Sequence, residues 1–178
     1  MPDISRDPRG TPATDRLNYT AYRLARALNR AAENTALAHA VTLPQLLILQ
    51  VLGEGLPLSN AQVAHRTFVS SQAAHVVSSE LLASGLIERV EHPTNRRVRL
   101  VRLSEAGWAT LAECEREIRA REDRLAEAIG PDLGSTLAEV LEHAAEVIAG
   151  GYFGDREAEA EAVARRRRPS KGAGMAPA

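Results

Sequence analysis

Hydrophobic residues recur at helical spacing along most of the chain, with one interruption near its middle. In residues 15–40, leucine and alanine return every three or four positions without a glycine or proline, which predicts an amphipathic helix. Residues 43–53 carry little polarity on any side, so the helix predicted there is expected to be buried. Two long helices are predicted after the interruption, over about 104–129 and 132–149, because Gly130-Pro131 separates two apolar-periodic runs.

The central part of the chain predicts a helix-turn-helix. A short helix is expected over about 60–66, where Ser59 opens a capping box in the tetrapeptide S-N-A-Q. After a tight turn, Ser70 or Ser71 caps a longer helix that reaches about Ser84 and ends at a glycine. A short helix, a turn of a few residues and a longer helix are typical of this motif.

The period of the pattern then changes from helical to alternating. Residues 86–91 are compatible with a strand, the HPTN cluster indicates a turn, and residues 97–103 alternate with one phase slip. These segments predict a two-stranded hairpin, or wing, directly after the helix-turn-helix. The expected fold class is therefore mostly α with a two-stranded β-wing, a winged helix-turn-helix plus a helical dimerisation region.

Composition fits this fold class and excludes several others. Aromatic residues make up only 3% of the 178 residues, so the core must be built mainly of alanine, leucine and valine, which favours packed helices. A single cysteine excludes a disulfide framework. The start of the chain lacks a signal-peptide pattern, and no apolar run approaches membrane length, so we expect a cytoplasmic protein without a membrane partner.

Charge is distributed unevenly, although the formal net charge is only −1. Residues 104–154 hold eleven acidic side chains against four arginines, whereas residues 43–103 carry an excess of two positive charges. The hairpin alone, at 89–102, has five arginines and one glutamate. A basic hairpin beside a helix-turn-helix is typical of proteins that bind duplex DNA.

The predicted organisation has five segments. They are a disordered arm (1–14), an N-terminal dimerisation helix (15–42), a winged helix-turn-helix DNA-binding domain (43–103), C-terminal dimerisation helices (104–150) and a flexible tail (151–178). The tail contains the arginine cluster 165–168, for which either a phosphate contact or a solvated run is open. Homodimerisation is expected because the flanking helices carry more apolar positions than a small winged domain can cover, although a monomer folding them on itself is the alternative.

One face of the second helix of the motif carries small uncharged polar side chains, whereas a solvated face normally carries charges. Such a stripe suits the major groove, where Gln can pair with adenine and Ser with either base type. An ordinary polar surface helix is the alternative. At the hairpin tip, Arg97 is expected to enter the minor groove, and Arg99 and Arg102 lower on the strand could touch phosphates. The residues predicted to contact DNA are Ser59, Asn60, Ser70, Ser71, Gln72, His75, Ser79, Arg96, Arg97 and Arg99.

Three stretches carry a family resemblance: L-S-N-A-Q-V-A in the first helix, L-x-x-x-G-L-I-E-R from the second helix into the strand, and R-R-V-x-L-x-x-L-S-x-x-G in the wing. Over about 43–107 the chain resembles the MarR-type winged helix-turn-helix transcription regulators. The resemblance implies an obligate homodimer, a pseudo-palindromic operator in double-stranded DNA, and often release by a small aromatic or phenolic effector. The chain departs from the family pattern at Asn95, where an Asp usually braces a wing arginine, and at Ala73 and Val76, where Arg or Thr is frequent.

An effector pocket, if present, is expected between the dimerisation helices and the winged domain. Aromatic walls and a cation would suit an anionic aromatic compound. The candidate residues are Tyr19, Tyr22, Arg23, His39 and Trp108, with plain interface core as the alternative.

We expect neither an enzyme nor a cofactor, because the sequence contains no catalytic elbow, phosphate-binding loop or dinucleotide fingerprint. No metal site is predicted either, since the five histidines show no ligand spacing. Two alternatives to the DNA-binding repressor remain open at this point. One is a winged-helix dimer that serves as a protein-interaction scaffold. The other is a redox sensor built on Cys114, although its acidic neighbours favour an inert cysteine.

Overall fold

The structure, a computed structural model, describes residues 12–95 and 97–149. The helices are α1 (Leu17–Ala38), α2 (Leu43–Leu52), α3 (Asn60–Arg66), α4 (Ser71–Ala83), α5 (Glu105–Ile129) and α6 (Pro131–Ala149), and the strands are β1 (Leu58–Ser59), β2 (Ile87–Glu91) and β3 (Arg99–Leu103). Every predicted helix is present, with ends within a few residues of the prediction. The predicted tail and most of the predicted arm lie outside the described residues, but the arm's last two residues belong to a 3-10 turn, Ala13–Asp15, closed by a hydrogen bond from Asp15 N–H to Pro12 O.

The chain divides into two compact units at Leu43. The first unit contains α1, which follows the sequence prediction and has several exposed apolar side chains, among them Leu17 and Leu37. The second unit contains the remaining described helices and the sheet. The predicted DNA-contacting residues that the structure describes all belong to this second unit.

The core of the second unit is aliphatic, as the scarcity of aromatic residues predicts. Helix α2 is its most buried helix, which confirms the prediction from its lack of polarity, and only Pro44 and Leu47 in it are exposed. Burying such leucine side chains contributes about 1.5–3 kcal/mol each. The largest side chains buried in this unit are Leu46, Ile48, Leu49, Leu52, Leu58, Val63, Leu81 and Leu111.

The wing is part of a three-stranded antiparallel sheet with the order β1-β3-β2. The predicted hairpin of β2 and β3 is confirmed, with Arg89 opposite Val101 and Glu91 opposite Arg99. The expectation of only two strands was incomplete, because Leu58 and Ser59 pair with Val101 and Leu100 on the other edge of β3. A two-residue strand is too short to show alternation, so the sequence pattern did not reveal it.

The start of α5 is tied to the link between α4 and β2. Ser104 caps α5, since its hydroxyl oxygen accepts the N–H of Gly107 at 3.0 Å, and it also donates to the carbonyl of Gly85 at 2.6 Å. A Cβ on Gly107 would lie 1.9 Å from the carbonyl oxygen of Leu86, so only glycine fits this approach. These contacts fix the end of α4 and the base of the wing against one helix.

Helices α5 and α6 are joined at Gly130, whose φ of 93° is a conformation that favours glycine. A Cβ on Gly134 would come within 2.6 Å of the Cβ of Ala126, so the two helices pack closely near their connection. No single helix in the described ranges is long and apolar enough to cross a membrane, and α1 and α2 pass that test only as one bent pair, by length and composition.

Candidate nucleic-acid interface

The first turn of α3 is held by the capping box that the sequence predicts. Ser59 accepts the backbone N–H of Gln62, and the side-chain oxygen of Gln62 accepts the N–H of Ser59 at 2.9 Å. Asn60 then links α3 to α4, because its amide Nδ2 donates to the carbonyl of Ser71 at 2.8 Å. These bonds give Ser59 and Asn60 a role in setting the geometry of the motif, and contact of either with DNA stays a prediction.

Helix α4 begins at Ser70, whose hydroxyl accepts the N–H of Ala73 at 3.2 Å. Ala74, Ser78 and Leu81 face the core. The side chains on the outer surface are exposed, as predicted, and Ser79 donates its hydroxyl proton to the carbonyl of His75 at 2.8 Å, which leaves the Ser79 oxygen as an acceptor. The exposed positions of α4 are Ser71, Gln72, Ala73, His75, Val76, Ser79, Glu80 and Ala83, and Glu80 is the one charged residue among them.

The turn of the wing is organised by two side chains. The ring nitrogen Nδ1 of His92 accepts the backbone N–H groups of Thr94, at 3.3 Å, and Asn95, at 3.1 Å. Asn95 in turn accepts the N–H of Arg97 at 3.1 Å. Where the family resemblance led us to expect a weakened brace, Asn95 thus bonds the backbone of the wing arginine. Arg96, predicted to contact DNA, lies outside the described residues.

Three arginines of the wing are exposed and free of ion pairs within the described part of the chain: Arg89, Arg97 and Arg99. Arg102 differs from them, because it forms an ion pair of 2.6 Å with Glu88 on the neighbouring strand. Of the two arginines expected to touch phosphates, Arg99 is therefore available for a phosphate, whereas Arg102 already has a carboxylate partner.

A cleft of about 340 Å³ separates α4 from the wing. Its lining combines predicted and unpredicted residues, namely Asn60, His75, Ser78, Ser79, Leu82, Arg89, Arg99 and Val101. Two buried polar atoms in this lining, Oδ1 of Asn60 and the hydroxyl of Ser78, have no hydrogen-bond partner among the residues that the structure describes. Since Ser78 is only 6% exposed, leaving its hydroxyl unpaired costs about 1–3 kcal/mol. The Ser78 hydroxyl can donate to an anion beside Arg89 and Arg99, whereas Oδ1 of Asn60 can only accept and needs a donor. The cleft therefore suits a polar occupant that carries both an anionic group and a hydrogen-bond donor.

Sequence reasoning missed Arg89 and Ser78. Their neighbourhood depends on the strand register, which puts Arg89 opposite Val101 and so on the same sheet face as Arg99. Period-2 alternation within β2 and β3 was the available signal, but neither strand alone reveals which residues of the other lie opposite.

The predicted effector residues are distributed over both compact units. Tyr19, Tyr22 and Arg23 lie exposed on α1, with His39 at the end of that helix. Trp108 lies on α5 in the second unit and is 46% exposed. A pocket formed by these five side chains stays a prediction.

Cys114 is fully buried in the core on α5. Burial raises the pKa of its thiol above the ordinary value, and the nearby carboxylates of Glu117, Glu113 and Glu115 raise this pKa further. A redox-sensing thiol needs access and a lowered pKa, so this environment is the opposite of what the redox alternative requires. Within the described ranges, no group of three or more His, Cys, Asp or Glu side chains could hold a metal ion.

Known proteins with a similar sequence are helix-turn-helix regulators. Residues 40–98 match the model of the MarR family. The curated HTH-type transcriptional regulator TtmR of Methylorubrum extorquens (strain PA1) is 30% identical over 124 residues, which cover 69% of this chain. The chain spans 59% of the length of that relative.

Solved structures share the fold. The transcriptional repressor CouR, bound to a 23-mer DNA duplex, superposes with a TM-score of 0.67 at 24% identity, covering 74% of this chain and 94% of CouR. NadR in complex with 4-hydroxyphenylacetate gives a TM-score of 0.66 at 20% identity, covering 83% of this chain and 99% of NadR.

The fold is that of a winged helix-turn-helix protein, and the curated relative that it resembles is a transcriptional regulator. Within that class, the match over residues 40–98 places the chain in the MarR family, as the resemblance of its motifs indicated.

Proposed function

We propose that the chain is a DNA-binding repressor that acts as a homodimer on a pseudo-palindromic operator in the cytoplasm. The observation that carries the proposal is the combination of an exposed face of α4, on which Glu80 is the one charged residue, with Arg97 and Arg99 on the wing, which have no ion pair in the described part of the chain. Phosphate contacts from such arginines supply affinity, while base-edge contacts from a polar helix supply specificity. The DNA duplex bound by CouR supports this use of the fold.

Homodimerisation is supported by α6, which carries an apolar face at helical spacing that the single chain leaves exposed: Leu133, Val140, Leu141, Val147 and Ile148. A two-fold axis through such a face would pair two copies and present two α4 helices to one side of a duplex. Two half-sites about 34 Å apart, one duplex turn, would then be read together.

A mobility-shift assay with duplexes from the promoter beside its own gene tests DNA binding. We expect at least one duplex to bind well below about 10⁻⁶ M at physiological salt, with log affinity falling linearly as log salt rises. Binding no tighter than about 10⁻⁶ M to every duplex would refute the proposal. A salt-insensitive protein that instead retains a protein partner in a pull-down would favour the interaction-scaffold alternative.

We further propose that a small anionic effector occupies the cleft between α4 and the wing and weakens DNA binding. Arg89, Arg99 and the Ser78 hydroxyl support the anionic group, and a hydrogen-bond donor on the ligand would satisfy Oδ1 of Asn60. NadR, a protein of the same fold, binds the aryl carboxylate 4-hydroxyphenylacetate. The occupant would neutralise Arg89 and Arg99 and exclude a DNA phosphate from them.

The effector proposal is tested by titrating the protein–duplex complex with a panel of aryl carboxylates that includes 4-hydroxyphenylacetate. We expect at least one to release DNA from the wild type, and the Ser78→Ala variant, which retains the arginines, to respond to it at least tenfold more weakly. Release by no compound, or equal release from both proteins, would contradict the site. Tyr22→Ala is the control for the other predicted pocket. If this variant loses the response, the effector binds at α1 and not in the cleft.

A further inference from the structure

The outward stripe of α4 has an apolar centre. Helical spacing aligns Gln72, Val76, Ser79 and Ala83 on the side opposite the buried Ala74 and Ser78. Val76 lies in the middle of this stripe and is 51% exposed. Ala73 is exposed one turn earlier, next to Val76 on the helix surface.

Nothing in the fold requires valine at this position. A β-branched residue is a poorer helix former than alanine, glutamate or lysine, and its side chain here has little to pack against. The flanks of α4 are otherwise engaged: Glu80 on one side accepts a hydrogen bond from Gln45 at 3.1 Å, and His75 on the other side lines the cleft. The exposed valine therefore adds little to the stability of α4 and is accessible to a partner of the folded protein.

The distribution of charge around Val76 indicates what kind of partner would contact it. Gln72, Val76, Ser79 and Ala83 are uncharged, and the one charged residue exposed on α4, Glu80, lies at the edge of this stripe and accepts a hydrogen bond from Gln45. On the other edge, Arg89 and Arg99 of the wing line the cleft next to His75 and Ser79. The major groove has the complementary pattern, with an uncharged floor of base edges between two anionic phosphate backbones. On that floor the one apolar group is the 5-methyl group of thymine.

We propose that Val76, with Ala73 beside it, contacts a thymine methyl group in the operator half-site and so determines part of its sequence. The inference rests on the proposed DNA binding. Gln72, one turn before Val76, is placed for the bidentate amide contact with an adjacent adenine. The half-site is accordingly expected to contain A·T pairs at the positions under the first two turns of α4.

The test uses the full chain and a duplex enriched by it from a random-sequence library. Thymines of the enriched site are replaced one at a time by deoxyuridine, which lacks only the methyl group. We expect one or two replacements within each half-site to weaken wild-type binding about three- to fivefold, the effect of losing one buried methyl group. Replacements outside the half-sites should leave the affinity unchanged.

Variants assign the effect to Val76. Val76→Ala should bind the thymine duplex about as weakly as the wild type binds the deoxyuridine duplex, and its preference for thymine at that position should vanish. Val69→Ala is the matched control, because it shortens another exposed valine that is not on the outward stripe of α4. Circular dichroism melting shows that each variant is folded.

The outcomes separate this inference from the proposal on which it rests. If the library yields no enriched duplex, DNA binding itself fails and the inference fails with it. If a duplex is enriched but deoxyuridine changes nothing, or the thymine preference survives in Val76→Ala or vanishes equally in Val69→Ala, DNA binding stands and Val76 does not read thymine.

Discussion

At the scale of single residues, side-chain surroundings decide which of the chemically suggestive groups can act. Arg99 and Arg102 lie on the same strand, yet only Arg102 has a carboxylate within ion-pair distance. An exposed ion pair of this kind contributes only about 0–1 kcal/mol to stability, but a paired cation must give up its partner before it can bind a phosphate. The sequence spacing does not distinguish these two arginines, whereas the side chains around them in the fold do.

Cys114 allows a prediction at the same scale. Its pKa is raised in the fold above the ordinary value of 9.0, mainly by burial, so the native thiol should react with iodoacetamide far more slowly at pH 8 than the thiol of the unfolded chain. Because the unfolded thiol ionises first, stability should fall as the pH rises above about 9, by at most about 1.4 kcal/mol per pH unit.

Alkylation followed by mass spectrometry measures the first effect, and urea unfolding at pH 8, 9 and 10 measures the second. Cys114→Ala is the control, since it removes the titration of this thiol and changes no other ionisable group. A native alkylation rate near that of the unfolded chain would restore the redox-sensor alternative.

At the scale of elements, local signals predicted most of what the structure contains. Helix α3 falls at the predicted residues because its capping box is written in four consecutive positions, and α4 ends before Gly85, whose φ is 74°. The cleft could not be predicted in this way. Its lining comes from α3, α4 and two strands, and the register that brings Arg89 to the side of Arg99 is set by tertiary packing.

The wing supports a prediction about this element. Arg97→Ala should weaken duplex binding about tenfold and reduce the slope of log affinity against log salt by about one, because one phosphate-region contact is lost. Arg102→Ala is a matched control on the same hairpin, whose arginine is already paired with Glu88, and its slope should change less. Mobility shifts at several salt concentrations measure both slopes. Equal slopes for wild type and Arg97→Ala would exclude a contact of this arginine with DNA.

At the scale of the whole molecule, the exposed apolar face of α6 bears on whether a second copy of the chain is bound. Helix α6 is amphipathic, and its apolar face is exposed in the structure, where Val140 is 59% exposed. A soluble monomer rarely leaves such a continuous face uncovered. The sequence predicted this apolar face, and the described part of the single chain leaves it exposed.

A charge placed on this face should disrupt the dimer. Val140→Glu is expected to shift the protein from dimer to monomer in analytical ultracentrifugation, and to weaken operator binding at least a hundredfold, because a single α4 reads only one half-site. Glu142→Gln, on the opposite side of α6, should remain dimeric and bind normally. A wild type that sediments as a monomer at micromolar concentration, or a dimeric Val140→Glu, would contradict this arrangement.

The short strand β1 has a consequence for how an effector could work. Its pairing with β3 joins the start of the helix-turn-helix to the wing, and the Asn60–Ser71 hydrogen bond carries that connection on to α4. The two walls of the cleft are therefore parts of one braced frame, and spreading them would break backbone hydrogen bonds. A molecule bound in the cleft would therefore block access to it without moving its two walls apart. The potency of such an effector should depend on its charge and on its fit to a cleft of fixed width. The distances between α4 and the wing within one chain should stay the same when DNA is released.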